Sequence, residues 1–281
     1  MSPPAGTPDV EALRAAYDSQ LRALVPSRPP EGMDMSWDGP LLRTIGYGDR
    51  GWVEYHDLRG ARGADLDALI ARQIRYFSER GTRFEWKLHG HDEPADLPER
   101  LRAAGFASEP TETVMIGDLA GIDLSARPPE GVAVREATGQ ADLRGIASLE
   151  GAVWGQDGSF GWIENLAAER EADPARLAIL IAEAAGTVVS AGWIRYPETT
   201  EFGTLWGGAT LAEWRGKGIY RSLVAERGRM AAARGLRYLE TDASDESRPI
   251  LQRLGFVPVT TTTPWIWTPA ARAGRDTDAD T

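Results

Sequence analysis

The chain contains no cysteine, which excludes a disulfide, a thiolate metal site and a cysteinyl acyl-enzyme. Any acyl transfer would therefore be direct or use another nucleophile. Histidine is nearly as scarce: His56, His89 and His91 all precede residue 100, so the C-terminal half has no imidazole base. No His-based triad and no metal site are expected, and His89 and His91 read as a solvated loop pair rather than as ligands. Lysine occurs only at positions 87 and 217, the other basic residues being arginine. No apolar run approaches the roughly 18 residues of a membrane span. The start, Met1-Ser2-Pro3-Pro4-Ala5-Gly6, lacks a basic segment followed by an apolar one. A soluble, cytoplasmic protein with no membrane partner is expected. The net charge of −11 argues against a nucleic-acid surface, which needs clustered Lys and Arg, and is compatible with a cationic amine substrate.

What is present is an internal repeat within 281 residues that are 42% hydrophobic. Leu101-Arg-Ala-Ala-Gly-Phe106 matches Leu251-Gln-Arg-Leu-Gly-Phe256. Upstream, Arg80-Gly-Thr-Arg-Phe84 matches Arg234-Gly-Leu-Arg-Tyr238. Each copy reads as helix, short apolar strand, helix ending in Gly-Phe, and closing strand. In the first, Leu66, Leu69, Ile70, Ile74 and Phe77 recur at helical spacing over 65–80, and Gly81 stops the helix. Strands over 83–88 and 112–116 and a helix over 97–104 follow. The second copy runs over 220–234, 237–243, 247–254 and 257–267. This order predicts an α/β fold with a mixed sheet, including a parallel pair joined by a crossover helix.

The stretch Asp123-Leu-Ser-Ala-Arg-Pro-Pro-Glu-Gly131 has linker composition. It divides the chain into a domain over 1–125, a second over 126–269 and a tail over 270–281. The second is more complete, with a strand over 132–136, helices over 141–153 and 160–171, and a strand meander over 177–185, 187–196 and 204–211. Residues before about 10 and after about 270 have too little apolar surface to fold.

The most informative segment is Thr204-Leu-Trp-Gly-Gly-Ala-Thr-Leu-Ala-Glu-Trp-Arg-Gly-Lys-Gly-Ile-Tyr-Arg-Ser-Leu-Val224. A strand passes through a glycine-bearing turn into an amphipathic helix, so free backbone N–H groups converge where an anion binds. Gly216 and Gly218 allow close approach of the main chain, and Arg215, Lys217 and Arg221 add charge. The spacing is neither a Walker loop nor a dinucleotide fingerprint, so nucleotide hydrolysis is disfavoured. A Gly-Lys-Gly turn alone is weak evidence; the strand-turn-helix setting strengthens it.

Here the chain resembles the GCN5-related N-acetyltransferase family, whose signature is Arg or Gln, two residues, Gly, one residue, then Gly or Ala. Arg215 to Ile219 fit, and Tyr220 departs at the sixth position. The resemblance covers about 131–269, and more weakly about 40–118, where Ala61-Arg-Gly-Ala64 lacks the signature. It implies two tandem acyl-CoA N-acyltransferase-like domains, each a mixed, mostly antiparallel sheet flanked by helices, with one working site.

The resemblance also implies acetyl-CoA as cosubstrate, bound by Gly208, Ala209, Thr210, Arg215, Gly216, Lys217, Gly218, Ile219, Tyr220 and Arg221. The N–H near Gly208 would face the thioester carbonyl. Where many relatives carry a tyrosine acid this chain has Leu251, and Ser244 replaces a common asparagine. That leaves Tyr220 as candidate acid, Asp242 as candidate base and Glu150 on the substrate side. Trp154 and Trp162 are candidates for stacking on the acceptor. The expected acceptor is a primary amine on a small molecule; a protein or peptide N-terminus, and a non-catalytic acyl-CoA-binding module, stay open as alternatives. A monomer or homodimer is expected, and the acyl chain length is left open.

Overall fold

A computed structural model of the chain describes residues 9–155 and 161–269. The two expected unstructured ends, apart from Asp9, lie outside these residues, as does the start of the helix expected from 160. The first half runs α1 (Val10–Gln20), β1 (Asp34–Asp38), β2 (Leu41–Ile45), β3 (Gly51–Glu54), α2 (Gly63–Glu79), β4 (Phe84–His89), α3 (Leu97–Ala103), β5 (Ala107–Ser108) and β6 (Glu112–Asp118). The second runs β7 (Val132–Glu136), α4 (Gln140–Trp154), α5 (Gly161–Ala172), β8 (Leu177–Ala184), β9 (Thr187–Arg195) and β10 (Phe202–Thr210). A short 3₁₀ turn over Ala212–Trp214 leads to α6 (Ile219–Ala233), β11 (Tyr238–Ala243), α7 (Arg248–Arg253) and β12 (Val257–Trp267).

Every helix and strand expected from the repeat is present, and the parallel pair occurs twice. β3 runs parallel to β4 across α2, and β10 parallel to β11 across α6; the other pairings are antiparallel. Helix α1, the hairpin β1–β2, β3 and the short β5 were not expected. The carboxylate of Asp9 caps α1 by accepting from the N–H groups of Glu11 and Ala12. Only Leu13 and Tyr17 of this helix are buried, too few to give a strong periodic signal.

The strands form one sheet in the order β1-β2-β3-β4-β12-β6-β11-β10-β9-β8-β7, with β5 beside β12. The closing strands are exchanged between the halves. β12, from the end of the chain, pairs with β4 and β6 of the first half, and β6 pairs with β11 of the second. Each copy's sheet is thus completed by the other copy's last strand.

Side chains alternate across the sheet with the period of two that strand geometry imposes. Leu177, Ile179 and Ile181 of β8 pack with Ile146 and Leu149 of α4 and Ile163 and Leu166 of α5. Ala178 and Leu180 face the other way, onto Leu223 and Val224 of α6. Each fully buried Leu or Ile contributes about 1.5–3 kcal/mol, so both faces of this half are held firmly. Leu251 is fully buried in the α6 cluster, where it packs the core.

Candidate active site

The ladder between β10 and β11 is short. It runs over Phe202–Tyr238, Gly203–Leu239 and Thr204–Glu240 and then stops, while both strands continue. The Thr241 hydroxyl still donates to the Leu205 carbonyl at 3.1 Å, the last bond before the strands part. On its other edge β10 has a bulge. Gly207 pairs with Gly192 and Thr210 with Ser190, leaving Gly208 and Ala209 outside the regular register. Gly207 and Gly208 take φ of +71° and +118°, a region that non-glycine residues rarely adopt. A Cβ on Gly207 would lie 2.4 Å from the Trp193 ring, and one on Gly208 2.9 Å from the Tyr220 ring.

A buried guanidinium supports this bulge. Arg227 of α6 is almost wholly enclosed, and its Nη1 donates to the carbonyls of Trp193 and Trp206 at 3.1 Å each. Burial pulls its pKa down to about 10.

Below the bulge, the chain turns through Gly216 at φ +74° and Gly218 at φ +84°, the latter capping α6 in the left-handed conformation. Among the described residues, the N–H groups of Gly216 through Arg221 have no backbone acceptor. With the α6 dipole, they leave donors pointing out of the helix start, as an anion would require. No Cβ neighbour lies within 4 Å of Gly216, whereas Arg221 lies beside Gly218. The Arg215 Nε donates back to the Thr210 carbonyl at 3.0 Å, which ties the turn to the strand end.

The parted strands and the turn open into one cleft of about 540 Å³. It gathers Gly208, Ala209, Thr210, Arg215, Gly216, Gly218, Ile219, Tyr220 and Arg221, together with Asp242 and Glu150. Lys217 is not among the lining residues; its Nζ sits 4.4 Å above the Trp214 ring. The Ile219 side chain points into the core against Val132 and Val189, so only its backbone serves the cleft. Ser244 lines the cleft and bonds its neighbour Ser247.

The candidate proton-transfer groups differ in their surroundings. Burial raises the Tyr220 pKa, so its hydroxyl is a donor rather than a base at neutral pH. Burial also raises that of Glu150 on α4. Asp242 is not free: the Lys87 ammonium lies 2.6 Å from its Oδ2. Two further carboxylates stand near it, Glu112 on the cleft wall and Glu240 one strand repeat before Asp242. Burial and the neighbouring Asp242 push Glu240 up to about 8.

Sequence reading missed Lys87, Glu112, Glu240 and Arg227. The rarity of lysine was a signal for Lys87, but nothing local placed it beside Asp242. Trp154 lines the cleft and is 72% exposed, while Trp162 stacks on Trp193 at 5.2 Å.

His89 and His91 require correction as a solvated pair, although His91 does lie on the turn after β4, where it is partly buried. His89 is buried at the end of β4 against the Tyr17 hydroxyl at 3.0 Å, and His91 contacts Asp18 and Thr260. They fasten α1 to the sheet. In the first half, Tyr55, Leu58 and Trp86 pack with Leu66 and Leu69 of α2.

No protein-family model matches the sequence, and no curated protein matches it either. Solved structures do. A GCN5-related N-acetyltransferase from Kribbella flavida superposes with a TM-score of 0.64 at 14% identity, covering 94% of this chain and 95% of that one. Another, from Sphaerobacter thermophilus, gives 0.62 at 18% identity over 86% and 84% of the two chains. A tandem GNAT protein from the clavulanic acid biosynthesis pathway gives 0.61 at 16% identity over 86% and 85%. The fold is therefore that of the GCN5-related N-acetyltransferases, in the tandem arrangement.

Proposed function

We propose that this tandem acetyltransferase fold is an acyl-CoA-dependent N-acetyltransferase with one working cleft, in the second half, and that it moves an acetyl group directly onto a primary amine of a small molecule. The observation that carries the reading is the coincidence of three features at one place. The β10–β11 ladder ends early, β10 bulges at Gly207–Gly208, and the N-terminus of α6 with its two left-handed glycines opens onto the same cleft.

These residues fit acetyl-CoA. The unpartnered N–H groups from Gly216 to Arg221 and the Arg215 and Arg221 side chains suit the pyrophosphate. The parted strands expose the β10 edge from Gly208 to Thr210 to the amide-bearing arm. Acetyl-CoA supplies the activated acyl group as a thioester. The Gly208 N–H, outside the ladder, is a preorganised donor for the oxygen that gains charge as the amine adds to the carbonyl. Such a donor is worth about 3 kcal/mol in acyl-transfer sites.

The incoming ammonium must lose a proton, and the departing thiolate must gain one. Tyr220, kept protonated by burial, serves as the acid. Asp242, held at Oδ2 by Lys87, receives the ammonium and takes its proton as the base, and Glu150 lines the substrate side. The acidic lining at that end, with Glu112 and Glu150 outside any ion pair among the described residues, favours a cationic acceptor over an anionic one.

The test is thermal stabilisation by acetyl-CoA combined with thiol release on an amine panel. Stabilisation and release together support the reading. Stabilisation with no release on small amines or on peptide N-termini would instead favour an acyl-CoA-binding module.

A further inference from the structure

The exchange of closing strands places β4, β12, β6 and β11 side by side, so a residue of the first half reaches the wall of a cleft built by the second. We infer that Lys87, on β4, is a positioning residue of that cleft: by holding Oδ2 of Asp242 it fixes in the cleft wall the carboxylate that receives the acceptor's ammonium. This rests on the acyltransfer reading above.

Three observations support it. The Lys87 Nζ lies 2.6 Å from Oδ2, and the two side chains are only 23% and 20% exposed. Asp242 Oδ1 is enclosed and has no hydrogen-bond partner among the described residues. The Lys87 ammonium is therefore the hydrogen-bond partner that sets the orientation of this carboxylate. Asp242 also lines the cleft, with its side chain 20% exposed.

The surroundings explain why a cation is required here. Tyr17 of α1, Glu54 of β3, Glu85 and His89 of β4, Glu112 of β6 and Glu240 and Asp242 of β11 all act electrostatically on Lys87 or are acted on by it. Arg22, the nearby cation, is already bound to Asp92 at 2.7 Å. Burial alone would lower the Lys87 pKa, but Asp242, Tyr17 and Glu240 outweigh it and the net shift is well upward. Lys87 therefore stays charged throughout the working pH range. Without it, Glu112 and Glu240 would face Asp242 uncompensated and each of the two would bind a proton more readily.

The test follows thiol release from acetyl-CoA between pH 6 and 10 with spermidine, glucosamine and phenylethylamine as acceptors. It compares the full chain with its Lys87→Met and Lys87→Arg variants, and measures acetyl-CoA binding by calorimetry alongside. All three proteins are expected to bind acetyl-CoA alike. Lys87→Met is expected to raise acceptor KM about tenfold or more, the loss of one charged hydrogen bond. It should also move the acidic limb of kcat/KM upward by about one pH unit or more, and Lys87→Arg should restore that limb.

If Lys87→Met fails to fold, D242N is compared with the K87M/D242N double variant, which removes both charges together. Equal acceptor KM in these two is expected, because Lys87 acts through Asp242. An unmoved KM and pH limb in Lys87→Met, or a further loss in the double variant, overturns the proposal and leaves the acyltransfer reading standing. Absence of acetyl-CoA binding or of thiol release in the unaltered chain overturns that reading, and this proposal with it.

Discussion

The Arg227 guanidinium donates to the Trp206 carbonyl at 3.1 Å while also holding the Trp193 carbonyl on the neighbouring strand. It reaches both from the middle of α6 and has no carboxylate partner among the described residues. A buried cation is thus spent on backbone carbonyls at the point where β10 leaves its regular ladder. Arg227→Met would orphan those carbonyls, at about 1–3 kcal/mol for each group left unsatisfied. A lower urea midpoint and a smaller acetyl-CoA-induced rise in Tm are expected. Midpoints equal to those of the unaltered protein would mean that the bulge needs no such support.

Gly218→Val should abolish stabilisation by acetyl-CoA. The φ of +84° costs an L-residue about 1–2 kcal/mol. A β-branched side chain would also stand among the N–H groups offered to phosphate. Thermal shift with and without acetyl-CoA checks this, and an undiminished shift would count strongly against the proposed cosubstrate site.

Tyr220→Phe separates packing from proton donation. The ring against Gly208 is kept, so acetyl-CoA affinity should hold, while kcat should fall about 100-fold if the hydroxyl protonates the leaving thiolate. Steady-state kinetics with a fixed acceptor provide the measurement. Unchanged kcat would reduce Tyr220 to a packing residue.

Glu240→Gln should stabilise the protein at alkaline pH. The folded state holds the Glu240 proton up to about 8, against an ordinary value of 4.5. Between these values the folded state binds more protons than the unfolded chain, so this group's contribution to stability falls as pH rises through the window. The variant should melt above the unaltered protein at pH 9 and close to it at pH 4.5. Parallel Tm curves over this range would contradict the assignment.

Trp154→Ala is expected to raise acceptor KM with a stability change within about 0.5 kcal/mol, because the side chain lies exposed on the cleft rim. Unchanged acceptor KM would remove this tryptophan from the acceptor's path.

Much of the fold, and the glycine turn of the candidate site, were legible in the sequence. Helix α2 announced itself through Leu66, Leu69, Ile70 and Phe77, all of which are buried. The turn at Gly216–Gly218 was legible because glycine, strand end and helix start occur together within a few residues. Helix α1 was not, since it buries only Leu13 and Tyr17. Strand β1, at the edge of the sheet, was equally quiet because none of its residues is fully buried.

The sequence alone thus determined the repeat, the order of elements and the glycine turn at the start of α6, because each depends on residues close together in the chain. Only the tertiary structure decided which closing strand completes which sheet. β6 and β12 are both apolar strands that follow a helix and a Gly-Phe, so local pattern cannot distinguish their partners. Their exchange brings Lys87 to Asp242 across 155 positions and sets the charge of the cleft wall. Hydrophobic periodicity selects a face for a strand, but neighbours within a sheet are selected by backbone pairing and packing at long range.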